Sequence, residues 1–403
     1  MMIDWICLQM ASLVLACALP FRWMFRRRMR RGKNKILVLA NQAMGDTLIK
    51  LPFFLAMRSV FPREKYHIAI ILSSQMAPVI TKLEIFDEVI EEVLSPCRHV
   101  IFWVFGLGVF KARALRWAIC NKAEVLINCD RYRDLGCDFA FRLCAPSLSM
   151  AYSSDLMPSL FPVSAAYQKR VFESKYSYLQ RPTFASHQID DLFRFLSFAA
   201  RENISPSLVN RSELFPLLDF SLNEAFKLKQ SGYAVFVPGA GASYRRWPIA
   251  RFAEIAKTVS DMGMKIAVVD GEKGSSLVSD LARASGVDIL DLSGKTTIRQ
   301  LGGILCRAKL VVSNETGAAT FAAVLGVKTV CILGGGDFGS FFPNEYCPDT
   351  ISVYHKKQCF SCGWKCAKID LSGLSVAPCI ASISVEDVHS AVKSLFKTAT
   401  AKE

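Results

Sequence analysis

Between residues 235 and 336 the chain twice passes from a short apolar strand through a small-residue turn into a helix. No other feature constrains its fold as strongly. The first turn is Pro238-Gly-Ala-Gly-Ala-Ser-Tyr-Arg-Arg-Trp-Pro248, and the second lies within Leu310-Val-Val-Ser-Asn-Glu-Thr-Gly-Ala-Ala-Thr-Phe-Ala-Ala323. Such turns leave backbone N–H groups pointing outward at a helix start, and Arg245 and Arg246 add two guanidinium groups to the first. Together these groups suit a diphosphate, so a nucleotide-linked donor is the leading substrate class.

Around these turns the pattern is regular. Strands are expected at 234–237, 265–269, 288–290, 310–313 and 329–333, alternating with helices at 249–261, 275–284, 298–307 and 317–325. The first half opens the same way. A buried strand at 35–40 is followed by the turn Asn41-Gln-Ala-Met-Gly-Asp46, a helix at 47–60 and a strand at 66–72, with a further strand at 124–128. Residues 150–206 read as mostly loop, with a helix at 190–200. Two strand–helix series, each with a glycine turn after its first strand, imply twin Rossmann-like domains with a ligand cleft facing the carboxyl ends of the strands. The expected divisions are 1–33, 34–215 and 216–403.

A chain of 403 residues exceeds what one core usually supports, consistent with two domains of roughly 150–200 residues. Hydrophobic content of 52% excludes disorder and hints at membrane contact. The net charge of +14 favours anionic lipid, a phosphorylated substrate or nucleic acid. No zinc-finger, RNA-recognition or basic-zipper pattern supports nucleic acid. Much of the excess charge lies in Arg26-Arg-Arg-Met-Arg-Arg-Gly-Lys-Asn-Lys35, which follows an apolar segment at 5–21. That segment is at the low end for a spanning helix. Its positive charge comes after the apolar stretch, the reverse of a secretory signal, which places the body of the protein in the cytoplasm with the amino terminus attached to the membrane. A helix packed on the protein itself is the alternative. Residues 100–119, with Phe102, Trp103, Phe105, Phe110, Lys111, Arg113, Arg116 and Trp117, fit either an interfacial membrane helix or one packed on the sheet. Of the 14 cysteines most read as small buried apolar residues, Cys306 and Cys331 among them.

With these motifs placed, residues 34–395 resemble glycosyltransferase family 9, the heptosyltransferase family of lipopolysaccharide core synthesis. Gly45-Asp46 with Leu51-Pro52 looks like the family's Gly-Asp…Pro element, and Pro238-Gly-Ala with Arg245-Arg-Trp-Pro248 like its Pro-Gly-Ala…Lys-Arg-Trp-Pro. Leu292-Ser-Gly-Lys-Thr-Thr297 looks like its Gly-Lys-Thr-Thr segment. Asn314-Glu-Thr-Gly317 with Ala322-Ala323 and Leu325-Gly326 looks like its Asp-Ser-Gly…His…Ala-Ala…Leu-Gly element. The resemblance implies the GT-B architecture and an inverting glycosyltransferase that needs no metal or other cofactor for catalysis. It would transfer a sugar, heptose from ADP-heptose by default, to a lipopolysaccharide core or other lipid-linked acceptor at the cytoplasmic face of the bacterial inner membrane. It implies Asp46 as the base for the acceptor hydroxyl, although the residues without the resemblance favour a helix cap. It puts Arg245, assisted by Arg246, on the departing diphosphate. The helix start at Thr316 and Gly317 would bind the same phosphates, with Glu315 at a position tied to donor or phosphate contacts. Glu272 would grip donor hydroxyls, or be a surface glutamate at a helix start. Thr320 stands where the family usually has histidine; it can donate a hydrogen bond but carries no charge.

Cys359, Cys362, Cys366 and Cys379 have metal-like spacing, suited to structural zinc or an iron–sulfur cluster, or else they are free or paired thiols. Similar cysteine-bearing tails occur in members of the family, which makes this a tail feature and not a sign of catalysis. Two further readings stay open: a transferase of the same fold for a different nucleotide sugar, and a non-catalytic protein that binds nucleotide sugar or glycan.

Overall fold

The structure, a computed structural model, describes residues 33–92, 112–131, 135–153, 169, 172–181, 187–207, 209–225, 232–271, 275–366, 370–371 and 373–397. The chain divides into two compact units. The first reaches Pro206 apart from 184–188, and the second takes 184–188 and Ser207–Glu403.

The first unit is built on a six-stranded parallel sheet of β1 (Asn34–Ala40), β2 (Tyr66–Ser73), β3 (Glu88–Glu92), β4 (Val125–Asn128), β5 (Leu148–Tyr152) and β6 (Tyr178–Gln180). Their order is β3-β2-β1-β4-β5-β6. Leu37, on the central strand, pairs with Ala69 on one side and Leu126 on the other. Residues 36–40 are wholly buried, as expected of a strand covered on both faces. The second unit repeats the plan with β7 (Tyr233–Val237), β8 (Lys265–Val268), β9 (Ile289–Asp291), β10 (Leu310–Asn314), β11 (Thr329–Ile332) and β12 (Thr350–Val353). Its order is β12-β11-β10-β7-β8-β9. In both sheets the winding reverses beside the first strand, between β1 and β4 and between β7 and β10. In doubly wound sheets that reversal opens a crevice at the strands' carboxyl ends, where ligands bind.

The four helices expected in the second unit at 249–261, 275–284, 298–307 and 317–325 fall within two residues of those bounds. Ile249–Asp261 and Val385–Lys397 lie on the sheet through Phe252, Ile255, Val388 and Val392, all buried. The sequence pattern did not anticipate β12, nor β3, β5 and β6 in the first unit. The helix expected at 47–60 is two helices, Met44–Leu48 and Leu51–Val60. The break falls just ahead of Pro52, which has no N–H to continue the first helix but fits the first turn of the second. In the stretch 100–119, only Ala112–Cys120 contains described residues. Trp117 there is buried in the first unit's core and donates from Nε1 to Glu88 Oε2 at 3.0 Å, so this part packs on the protein. The apolar segment 5–21 lies outside the described residues. No described helix is long and apolar enough to cross a membrane.

Candidate active site

In the first unit, the turn after β1 carries Asp46 in the first turn of Met44–Leu48. The N-cap of that helix is Ala43, with no side-chain cap, so Asp46 is not the helix cap that its sequence context also allowed. Beneath the turn lies a buried polar group that sequence reading missed. Lys50 Nζ, fully enclosed, stands 3.6 Å from Asp130 Oδ1 and donates to Gln42 Oε1 at 2.7 Å. The Asn41 N–H donates to Asp130 Oδ2 at 3.2 Å, and the Asp130 N–H donates to Asn128 Oδ1 at 3.1 Å. Asp130 therefore ties the end of β4 to the turn after β1, on both flanks of the reversal. The sequence signal was a lone lysine inside the apolar run Leu48-Ile-Lys-Leu-Pro-Phe-Phe54. Lysine is rarely fully buried unless it is paired.

In the second unit, Arg245 ends a short turn at Ser243–Arg245. Trp247 anchors it. The indole is buried, donates to the Ile383 carbonyl at 3.0 Å and stacks edge-on against Phe252. Asn314, at the end of β10, accepts from the Trp247 N–H at 3.0 Å and donates to the Pro238 carbonyl at 2.7 Å. One buried amide thus joins both glycine turns on the two sides of this sheet's reversal. Gly239 leaves room there for Asp270, whose Oδ1 would lie 2.7 Å from an added Cβ.

The guanidinium of Arg245, three-quarters buried, faces two carboxylates. Its Nη2 is 3.8 Å from Glu315 Oε2 and 3.4 Å from Asp337 Oδ2. Burial, and then the nearby Asp337 charge, push the Glu315 carboxyl up to about 8, although Arg245 pulls the other way. Both Glu315 oxygens are buried, and among the described residues neither has a hydrogen-bond partner. Arg246 is half-buried and reaches the Ala240 carbonyl at 3.4 Å. Thr316 caps the helix Gly317–Val324, its hydroxyl accepting from the Ala319 N–H at 3.3 Å. Thr320 is buried, and its hydroxyl donates to the Thr316 carbonyl at 3.3 Å, within the same helix. Arg245, Glu315 and the helix start thus converge at the carboxyl end of β10. Glu272 lies outside the described residues.

Cys359, Cys362, Cys366 and Cys379 line one cavity of about 480 Å³ together with Trp364 and Leu371. Burial raises the Cys362 thiol, and Cys359 and Cys379 are near enough to raise it further. Among the described residues, no three cysteine, histidine or carboxylate side chains converge closely enough to hold a metal ion. The spacing brings the four thiols to one cavity.

Residues 183–362 match the model of glycosyltransferase family 9 (heptosyltransferase). The similarity to that family spans 180 of the chain's 403 residues. Lipopolysaccharide heptosyltransferase 1 of Salmonella typhimurium is 26% identical over 130 residues, 32% of this chain and 38% of that protein. The chain therefore matches well under half the length of that curated relative. Among solved structures, the family 9 glycosyl transferase of Veillonella parvula superposes with a TM-score of 0.66 at 17% identity, over 92% of this chain and 99% of the other. The E. coli heptosyltransferase WaaC with ADP superposes with a TM-score of 0.61 at 14% identity, over 90% and 99%. At these identities the likeness is one of fold, the two-domain α/β plan of the GT-B family 9 enzymes, which the paired six-stranded parallel sheets share.

Proposed function

We propose that this protein is an inverting, metal-independent glycosyltransferase that moves a sugar from a nucleoside diphosphate sugar to a lipid-linked acceptor. The single observation that carries the reading is Arg245. It stands on an anchored turn beside the start of Gly317–Val324, where the second sheet reverses. A fixed cation next to outward N–H groups stabilises the charge that grows on a departing diphosphate. Asp46, in the first unit, takes the proton of the acceptor hydroxyl. The acceptor oxygen forms a bond to the anomeric carbon from the face opposite the donor oxygen. The bond from that carbon to the diphosphate breaks, and the diphosphate leaves with the electron pair. Each transfer inverts the anomeric centre and releases a nucleoside diphosphate.

The relatives' names carry heptose, ADP and lipopolysaccharide, which favours ADP-heptose as the donor and a lipopolysaccharide as the acceptor. The amino-terminal segment and its basic run would hold the enzyme at the cytoplasmic face of the inner membrane, near such an acceptor. A second reading, a different nucleotide sugar on the same fold, is favoured by Thr320, which spends its hydroxyl proton inside its own helix where the family usually has histidine.

The test is a melting panel of nucleoside diphosphates with Arg245→Ala alongside, followed by a transfer assay. A ligand at a hundred times its dissociation constant adds about 2.7 kcal/mol. Stabilisation by ADP that disappears in Arg245→Ala supports the heptosyl reading. Selectivity for UDP or GDP moves weight to the second reading, and no stabilisation by any of them rejects both.

A further inference from the structure

The cysteine-bearing segment that follows β12 does more than line a cavity, because it also reaches Arg245. Trp364 Nε1 donates to Asp337 Oδ2 at 2.8 Å, and that same oxygen is 3.4 Å from Arg245 Nη2. The Arg245 guanidinium carbon lies 4.8 Å from the centre of the Trp364 ring. Arginine, indole and carboxylate form a closed triangle.

The surroundings are shaped to admit the indole. A Cβ on Gly334 or Gly336 would overlap the Trp364 ring, and one on Gly335 would meet Phe360 Cδ1 at 2.7 Å. Ser361 and Trp364 both have positive φ, 67° and 60°, a region that non-glycine residues seldom adopt. Backbone bonds hold them there. The Ser361 N–H donates to the Gly335 carbonyl at 2.7 Å, and the Gly363 N–H donates to the Gly336 carbonyl at 2.9 Å. The far end of the segment closes on the arginine turn itself, where the Ala377 N–H donates to the Tyr244 carbonyl at 2.8 Å.

We propose that Trp364 is a positioning residue for Arg245, through which the cysteine-bearing segment sets the affinity of the site for a diphosphate. This rests on the reading of Arg245 as the diphosphate ligand. A guanidinium beside two carboxylates tends to collapse onto them. The ring face holds its plane, which leaves the N–H edge for phosphate oxygens. The indole N–H meanwhile takes up part of the hydrogen-bonding capacity of Asp337, which loosens that carboxylate's hold on the arginine.

The experiment is a double-mutant cycle read by titration calorimetry with ADP and with pyrophosphate, which carries the diphosphate common to any nucleotide. Trp364→Met fills the space without an aromatic face and should weaken both ligands roughly three- to thirtyfold. In an Arg245→Ala background the same change should cost almost nothing. Trp364→Phe keeps the face, loses the N–H, and should cost about threefold, again only when Arg245 is present. If Trp364→Met does not fold, the Trp364→Phe pair decides. Equal losses with and without Arg245, or no loss in a folded variant, overturn the proposal. Absence of binding by the wild type to either ligand instead removes the donor reading beneath it.

Discussion

Glu315 is a buried acid held next to the cation that would meet the donor. Its carboxyl is more basic in the folded chain than in the unfolded one, where the ordinary value is 4.5. The folded state therefore binds the proton more tightly. The stability this contributes is fully present below about pH 4.5 and is lost as pH rises toward and through about 8. Glu315→Gln has no proton to lose. Its melting temperature should gain on the wild type steadily as pH is raised across that window, and parallel curves would show that the acid is not buried as described. Lys50 makes a different prediction. Lys50→Met leaves Asp130 enclosed without its lysine and should cost ~3–5 kcal/mol in denaturant unfolding, most of it recovered by adding Asp130→Asn. A loss below about 1 kcal/mol would mean that the pair is not enclosed.

At the scale of elements, the glycine run after β11 is a shelf cut for the rings of a later segment. Gly336→Ala puts a methyl group where the indole lies, and should cost ~1–3 kcal/mol of stability while also weakening ADP binding. If ADP affinity is unchanged in the folded variant, the shelf is structural only. Nothing in Gly334-Gly-Gly336 as a string announces this, because the partner rings lie more than twenty residues away in sequence and reach it by tertiary packing. The strands were more legible. Residues 36–40, 234–237 and 310–312 are apolar on both faces because helices cover both sides of each sheet, and that leaves a mark on every residue. The edge strand Tyr178–Gln180 is only half-buried and left no such mark. The same contrast runs through the site. Arg245 and Glu315 could be found because each adjoins a turn made of small residues. Asp337 and Trp364 could not, since what they do depends on a triangle closed between separate loops.

At the scale of the whole molecule, each unit has its own six-stranded sheet and its own core. A ligand of Arg245 and the helix start should therefore protect the second unit's amides from hydrogen exchange far more than those of β1, β2 and β4. Equal protection in both units would show that they unfold as one body. The two sheets also share a single winding order, each with its proposed site residues at its own reversal. A lineage built this way can alter the two halves separately. The turn with Asp46 can drift toward a new hydroxyl while the turn with Arg245 stays under the unchanging demand of a diphosphate, so relatives would diversify by what they decorate sooner than by how they let the nucleotide go.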